Sequence, residues 1–185
     1  SSPTARETVD LNRPNACNLC HLDRTLAWTA DKLSEWYGQK APALSADDRE
    51  LAAGVQWVLK GDARLRALAT LDMGWAPAQQ ASGRDWLYPF VIFQLNDPYA
   101  AVRFGAWKSL QSLPGFSDFS FDYVASDAAQ KEAVTQAYRK WWFEVRNASS
   151  VFPPQTILDP TGMFRQSTFD RLLNQRDLRR VFIAE

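Results

Sequence analysis

Two cysteines and a histidine stand together near the start of the chain, at Cys17, Cys20 and His21. Their spacing is C-x-x-C-H, the sequence to which a c-type haem is attached. In that chemistry each thiol forms a thioether with one haem vinyl group, and the imidazole binds the iron as an axial ligand. The chain contains two cysteines and one histidine in all, so the motif uses every residue of both types. The motif therefore predicts one covalent haem c.

The two cysteines also admit other interpretations. A C-x-x-C pair can act as a redox dithiol, but no βαβ pattern surrounds this one. It can form half of a tetrahedral zinc site, but the chain has no second pair of cysteines or histidines to complete it. A disulfide bond, or two buried thiols, is the remaining alternative. The position of the only histidine, directly after the second cysteine, favours haem attachment over all of these.

The haem iron has a second axial position, and no other histidine of this chain can fill it. Methionine sulfur is a common partner of histidine in haems, and the chain contains two methionines, Met73 and Met163. Met73, at the end of a helical pattern, is the preferred candidate, and Met163, in a turn-rich loop, is the second. Each is also a natural gap-filler of a hydrophobic core. A vacant or water-filled position, or a ligand from another chain, completes the alternatives.

The composition is that of a folded chain with balanced charge. Of the 185 residues, 46% are hydrophobic and 13% aromatic, which is enough for a core and excludes a disordered chain. The 21 basic residues equal the 21 acidic ones, whereas nucleic-acid-binding proteins normally have a basic excess. Because no long apolar run occurs, we expect no membrane-spanning segment and no nucleic-acid partner.

Haem is attached to free thiols outside the cytoplasm, so the motif predicts a periplasmic or extracellular protein. Residues 1–6 do not show the basic stretch followed by an apolar one that marks a signal peptide. We therefore expect that a leader or an upstream segment has been removed.

The hydrophobic periodicity predicts a mainly α fold with three regions: a haem-attachment arm and helix (1–44), HEAT-like helical hairpins (45–113), and a C-terminal helical closure with an extended tail (114–185). In the first region, residues 1–16 are expected to be extended. A helix over residues 24–37 follows and is capped by Asp23. Trp36 and Tyr37 are expected on the apolar face of that helix.

The middle region is predicted to contain two helical hairpins at a spacing of about 40 residues, the period of HEAT-type repeats. Ser45 begins the first hairpin with a capping box, and a loop over 74–83 separates the two. Two repeats are too few to be stable alone, so the flanking regions must close both ends. The expected helices are 46–60 with 63–73, and 84–95 with 99–113.

The last region begins with an aromatic loop over 116–123, which we expect to pack on a neighbouring helix. A long helix over 127–147 follows, with Ser126 or the next residue as its cap. Further on, Ser167 is expected to cap a short helix over 168–175. The tail, 179–185, is expected to dock as an extended piece.

The segment from Arg13 to Asp23, followed by Leu26-Ala27-Trp28 and Trp36-Tyr37-Gly38, resembles the last haem-binding segment of bacterial multihaem c-type cytochromes. In that family a block of C-x-x-C-H motifs precedes a C-terminal region of HEAT-like or TPR-like repeats. The stretch Asp97–Arg103 and the ending Arg179–Glu185 are similar to the family as well. One departure is clear: this chain has a single motif where the relatives have several, with further histidines upstream.

The resemblance implies a c-type cytochrome subunit that transfers electrons, with other haem-bearing chains or redox subunits as partners. A histidine from such a chain is then an alternative to Met73 as the second iron ligand. Two other functions stay open: a haem oxidoreductase or gas-binding protein with an open iron site, and a helical-repeat scaffold anchored by haem. An electron carrier is favoured over a catalyst, because no second histidine remains for acid–base chemistry.

Overall fold

The computed structural model describes residues 4–179, and over this range the chain is helical. The described residues contain no β-strand, only two isolated antiparallel bridges, Thr25–Ala52 and Leu158–Phe164. The expectation of a mainly α fold is confirmed. Within the same range, no helix combines the length and the apolar content needed to cross a lipid bilayer.

Most of the helices are short, and they follow one another with brief connections. The α-helices of the described range are α1 Ala5–Leu11, α2 Ala16–Cys20, α3 Leu26–Tyr37, α4 Ala46–Glu50, α5 Ala53–Lys60, α6 Ala63–Met73, α7 Ala76–Ser82, α8 Leu87–Gln94, α9 Ala100–Gln111, α10 Asp127–Lys140 and α11 Gln166–Asn174. A π-helical turn, Trp141–Val145, continues α10, and a 3-10 turn covers Pro154–Thr156.

The centre of the core is formed by α5, α6, α8 and α9. Helix α6 packs against both α5 and α9, and α8 packs against α9. The C-terminal region adds α10 against α8 and α11 against α5. Complete burial of a large apolar side chain stabilises a fold by about 1.5–3 kcal/mol. The largest fully buried apolar side chains of this core include Trp86, Trp141, Phe90, Phe116, Leu59 and Met73.

The capping signals of the middle region are confirmed. The Ser45 Oγ accepts a hydrogen bond from the Asp48 N–H, and the Asp48 carboxylate accepts one from the Ser45 N–H, each at 3.1 Å. Asp62 caps α6 by accepting the Leu65 N–H at 2.8 Å. The predicted partners α5 and α6, and α8 and α9, are packed neighbours. Their classification as HEAT-like repeats stays a prediction.

The prediction of an extended arm over residues 1–16 is wrong, because α1 lies within it. Thr4 caps this helix, with its Oγ1 accepting a hydrogen bond from the Arg6 N–H at 3.2 Å. The buried Ala5 anchors the helix against Leu26 of α3. A helix of two turns with one buried residue has no amphipathic repeat, so its sequence carries little helical signal.

The helix predicted after the motif is present as α3, but Thr25 caps it rather than Asp23. The Thr25 Oγ1 accepts the Trp28 N–H at 3.0 Å. Trp36 and Tyr37, which were expected on the apolar face, are 57% and 64% exposed. Both lie in the final turn, beyond the last buried residue of the helix. The buried face consists of Leu26, Thr29, Ala30 and Leu33.

The single helix predicted over 46–60 is wrong, because Leu51 and Ala52 separate α4 from α5. Ala52 donates its N–H to the carbonyl of Gln155 at 2.9 Å and forms a bridge with Thr25. Pairing with two distant segments therefore interrupts the helix. A local hydrophobic pattern contains no information about such partners.

The loop predicted over 74–83 is also wrong, because it contains α7. Pro77 lies in the first turn of this helix, where a missing N–H costs nothing, and Gly83 ends it. The helices predicted over 84–95 and 99–113 are present as the shorter α8 and α9.

The long C-terminal helix is confirmed at its start and wrong at its end. Ser126 caps α10, with Oγ accepting the Ala129 N–H at 3.4 Å. The α-helix ends at Lys140 rather than near residue 147, because the hydrogen bonding changes there to a π-helical turn.

The remaining C-terminal elements give mixed outcomes. The aromatic loop packs on the core through the buried Phe116 and Phe121, as expected. Helix α11 begins at Gln166, so Ser167 lies inside it and does not cap it. Apart from its first residue, the predicted extended tail over 179–185 lies outside the described residues.

A buried ion cluster joins the segment after α11 to the helical core. The side chains of Arg66 and Asp97 are both fully buried, with Nε to Oδ2 at 2.7 Å and Nη2 to Oδ1 at 3.1 Å. Arg176 adds a contact from Nη1 to the same Oδ2 at 3.2 Å and donates to the Leu59 carbonyl at 2.7 Å. Arg66 also donates to the Gly61 carbonyl at 2.7 Å. The cluster therefore fixes both ends of the α5–α6 turn.

Candidate haem-attachment site

Helix α2 is little more than one turn, and it carries both cysteines of the motif. Asn15 caps the helix, with Oδ1 accepting the Asn18 N–H at 2.9 Å. His21 ends it, and its N–H donates to the Cys17 carbonyl at 2.9 Å. Residues three and four positions apart lie on the same side of a helical turn. Cys17, Cys20 and His21 therefore share one side, and all three are partly exposed.

Asn18, between the two cysteines, is completely buried and organises the turn from the inside. Its Nδ2 donates to the carbonyls of His21 at 3.3 Å and Arg24 at 3.1 Å. Its Oδ1 accepts from the Thr29 Oγ1 at 2.7 Å and from the Asn15 Nδ2 at 2.9 Å. One amide therefore holds together the helical cap, the end of the motif and the first turns of α3.

The segment directly after the motif docks on the N-terminus of α5. The Ala53 N–H donates to the Arg24 carbonyl at 2.8 Å, and the Gly54 N–H donates to the Leu22 carbonyl at 3.1 Å. These carbonyls satisfy amides of the first turn, for which the N-cap residue Ala52 offers no side-chain acceptor. A Cβ at Gly54 would lie 2.9 Å from the Leu22 carbonyl oxygen, so this close approach requires glycine.

The imidazole of His21 lies against an aromatic and charged cluster. Its ring centroid is 4.9 Å from that of Trp28, with the planes tilted by 53°. The guanidinium of Arg24 lies 5.9 Å from the Trp28 ring, and its Nε is 3.3 Å from the Oδ2 of Asp23. The ring is thus held by an aromatic contact close to one positive and one negative group.

Both cysteines are free thiols. Burial raises the pKa of Cys17, its own backbone N–H opposes the rise, and the nearby Cys20 adds to it. Burial likewise raises the pKa of Cys20, and the charge of Asp72 adds to that rise. A reactive dithiol needs a lowered thiol pKa, because the thiolate is the attacking form. The environment of this pair therefore argues against the redox-dithiol interpretation.

Asp72 of α6 is a neighbour of Cys20 that the sequence did not indicate. One of its carboxylate oxygens, Oδ2, is buried and has no hydrogen-bond partner within the described residues. Burial raises the pKa of Asp72 to about 6. Since an aspartate in an unfolded chain titrates near pH 4, the folded state prefers this group protonated.

Replacing Asp72 with asparagine is expected to stabilise the fold at pH 7 by about 1–2 kcal/mol, a value reduced for partial exposure of the side chain. The raised pKa fixes the sign: wild-type stability falls as the pH rises from about 4 to about 6 and stays lowered above that. The gain should therefore vanish below about pH 4. Urea unfolding at pH 3.5 and pH 7 measures it, with the exposed Asp31→Asn as the matched control. Equal gains at both pH values would contradict the assignment.

The two methionines lie in different environments. Met73 has no exposed surface and packs in the hydrophobic core, which is the position of a gap-filling residue. Met163 is 46% exposed and lines an apolar surface groove with Tyr138, Trp142 and Phe143, away from the core. The structure does not bring either side chain into contact with His21. Their roles as iron ligands stay predictions.

The donor set can be compared with what each candidate group requires. Within residues 4–179, no three side chains of the His, Cys, Asp and Glu types converge as ligands for a metal ion, so no complete tetrahedral zinc set is present there. A haem c needs two accessible thiols at this spacing and an imidazole directly after them. Helix α2 presents those groups on its partly exposed side, so the residues fit a haem.

Comparison with known proteins leaves the assignment to the site itself. The sequence matches no known protein family, and neither a curated protein nor a solved structure is significantly similar to it. The argument for function therefore rests on the motif and its geometry.

Sequence reasoning missed two residues of this site, Asn18 and Asp72. Asn15, three residues before Asn18 and directly after Pro14, is a recognisable helix N-cap and could have indicated the local turn. The burial of Asn18 could not be foreseen, because the two positions between the cysteines carry no pattern. No local signal places Asp72, which lies on a different helix, near Cys20.

Proposed function

We propose that this chain is a c-type cytochrome subunit that transfers electrons through one covalently bound haem. Cys17 and Cys20 hold the haem by thioether bonds, each formed when a thiol S–H adds across a vinyl group, and His21 binds the iron. The bound haem supplies the one-electron chemistry, while the protein provides attachment and orientation. The observation that carries the proposal is a C-x-x-C-H motif on one partly exposed turn, ended by the only histidine of the chain.

The exposure of the attachment site supports an electron carrier that works with partners. Both thiols and the imidazole are partly exposed, so a haem bound there has an edge near the protein surface. Other haem-bearing chains or redox subunits are the proposed partners. Because haem attachment takes place outside the cytoplasm, the proposed location is periplasmic or extracellular.

A ligand from outside the chain is proposed for the second axial position. Met73 is enclosed in the core and Met163 lines a separate groove, so neither is placed for a haem on the exposed side of α2 without rearrangement. A partner histidine would give a six-coordinate iron in the assembly. The same observation favours a second candidate function for the isolated chain, a haem protein with an open position that binds a small gas molecule or substrate.

Carbon monoxide distinguishes these two functions. The subunit bound to its partner should show a sharp α-band on reduction and no change on addition of carbon monoxide. A gas-binding protein or oxidoreductase should bind carbon monoxide in the complete assembly as well. Binding by the isolated subunit alone supports donation of the second ligand by a partner.

Replacing His21 with alanine is expected to leave the thioethers in place and to abolish the low-spin spectrum, because the proximal ligand is lost. Absorbance spectra of the oxidised and reduced protein measure this effect. Trp28→Phe is the control, since it keeps an aromatic ring beside residue 21 and should retain the wild-type bands. An unchanged spectrum in His21→Ala would refute the ligand assignment.

A further inference from the structure

A buried carboxylate oxygen without a partner lies two residues after the proposed iron ligand. The side chain of Asp23 is 8% exposed. Its Oδ2 contacts the Arg24 Nε at 3.3 Å, whereas its Oδ1 is buried and accepts no hydrogen bond within the described residues. A buried acceptor left without a donor costs about 1–3 kcal/mol, so this oxygen points to a donor that the apoprotein does not supply.

The local geometry brings Asp23 and the imidazole of His21 into one cluster. Both belong to a single turn, in which the Arg24 N–H donates to the His21 carbonyl at 3.0 Å. The Arg24 side chain contacts Asp23 on one side and the Trp28 ring on the other, and that ring packs against His21. Burial raises the pKa of Asp23, while the charges of Arg24 and His21 act in the opposite direction. The carboxylate therefore senses the imidazole.

The imidazole itself makes no hydrogen bond within the described part of the chain, although its ring is fixed against Trp28. A histidine that binds a metal through one nitrogen almost always donates the N–H of the other nitrogen to a carboxylate, a carbonyl or water. The only carboxylate within two residues of His21 is that of Asp23.

We propose that Asp23 is the positioning residue of the iron ligand: with Nε2 of His21 on the iron, its Nδ1–H donates to Oδ1 of Asp23. This inference rests on the proposed function. The bond fixes the tautomer and the orientation of the ring and makes the imidazole a more basic ligand. A more basic ligand beside a carboxylate favours the oxidised iron, so Asp23 lowers the reduction potential.

The experiment uses the full chain carrying its haem and compares wild type with Asp23→Asn. Because His21 is the only histidine, labelling with ¹⁵N-histidine gives the signals of a single ring. In the reduced protein, with carbon monoxide added to keep the iron diamagnetic, the wild-type Nδ1–H should exchange slowly and resonate far downfield. In Asp23→Asn that proton should move upfield and exchange faster, and the reduction potential should rise. Asp31→Asn, which removes an exposed carboxylate from α3, should change neither property.

The outcomes separate the inference from the function beneath it. If wild type carries no haem, the proposed function fails. If wild type carries haem and Asp23→Asn shows the wild-type proton signal and potential, the positioning role is overturned while the function stands. Should Asp23→Asn fail to load haem, Asp23→Glu takes its place. It keeps the charge but displaces it by one methylene, so a changed proton signal is expected and an unchanged one overturns the inference.

Discussion

Replacing Asp97 with alanine is expected to lower the free energy of unfolding by about 3–5 kcal/mol, because it leaves two buried guanidinium groups without their counter-charge. The carboxylate contacts Arg66, whose side chain is fully buried, and Arg176, whose side chain is 8% exposed. It also accepts the Tyr99 N–H at 2.9 Å. Burial already lowers the pKa of Arg176 to about 10, against the opposing effect of Asp97. Chemical denaturation at pH 7 measures the change.

The matched control for Asp97 is Asp118→Ala. Asp118 also faces a cation, Lys140 at 3.8 Å, but its side chain is 81% exposed. Exposed ion pairs contribute about 0–1 kcal/mol, so this variant should be close to wild type. If the two variants lose the same small amount of stability, the cluster does not hold the end of the chain to the α5–α6 turn.

Replacing Asn18 with alanine is expected to cost about 2–4 kcal/mol and to impair haem attachment. The substitution removes four hydrogen bonds and leaves buried partners unsatisfied, among them the Thr29 hydroxyl and the Arg24 carbonyl. The turn that presents Cys17 and Cys20 then loses its internal support. Urea unfolding gives the stability, and haem absorbance relative to protein mass gives the attachment yield.

Asn174→Ala serves as the control for Asn18, because it removes an exposed asparagine at the end of α11. Surface substitutions of this kind change stability by less than about 0.5 kcal/mol. Wild-type stability and full haem loading in Asn18→Ala would show that the motif does not depend on the buried amide.

The parts of the fold that the sequence predicts well depend on short-range signals. Ser45, Asp62 and Ser126 begin their helices because a side-chain oxygen accepts an amide a few residues away, and that chemistry is visible in the sequence. The parts that fail depend on distant partners. Ala52 interrupts a helix because it pairs with Thr25 and Gln155.

The same distinction applies to the site. Spacing alone identifies Cys17, Cys20 and His21 as a haem-attachment set, since the required residues are adjacent in the chain. The groups that tune such a set come from its three-dimensional surroundings. The orphan oxygens of Asp23 and Asp72 become visible only when burial and hydrogen bonding are known for each atom.

The most direct test of the central claim is the intact mass of the chain, isolated from its native cell or from a host that attaches haem c. The account predicts the polypeptide plus one haem, which proteolysis places on the peptide that contains Cys17 and Cys20. Replacement of both cysteines by serine should remove the added mass. A polypeptide of unmodified mass, or one whose two sulfurs are bonded to each other or to zinc, would contradict the account.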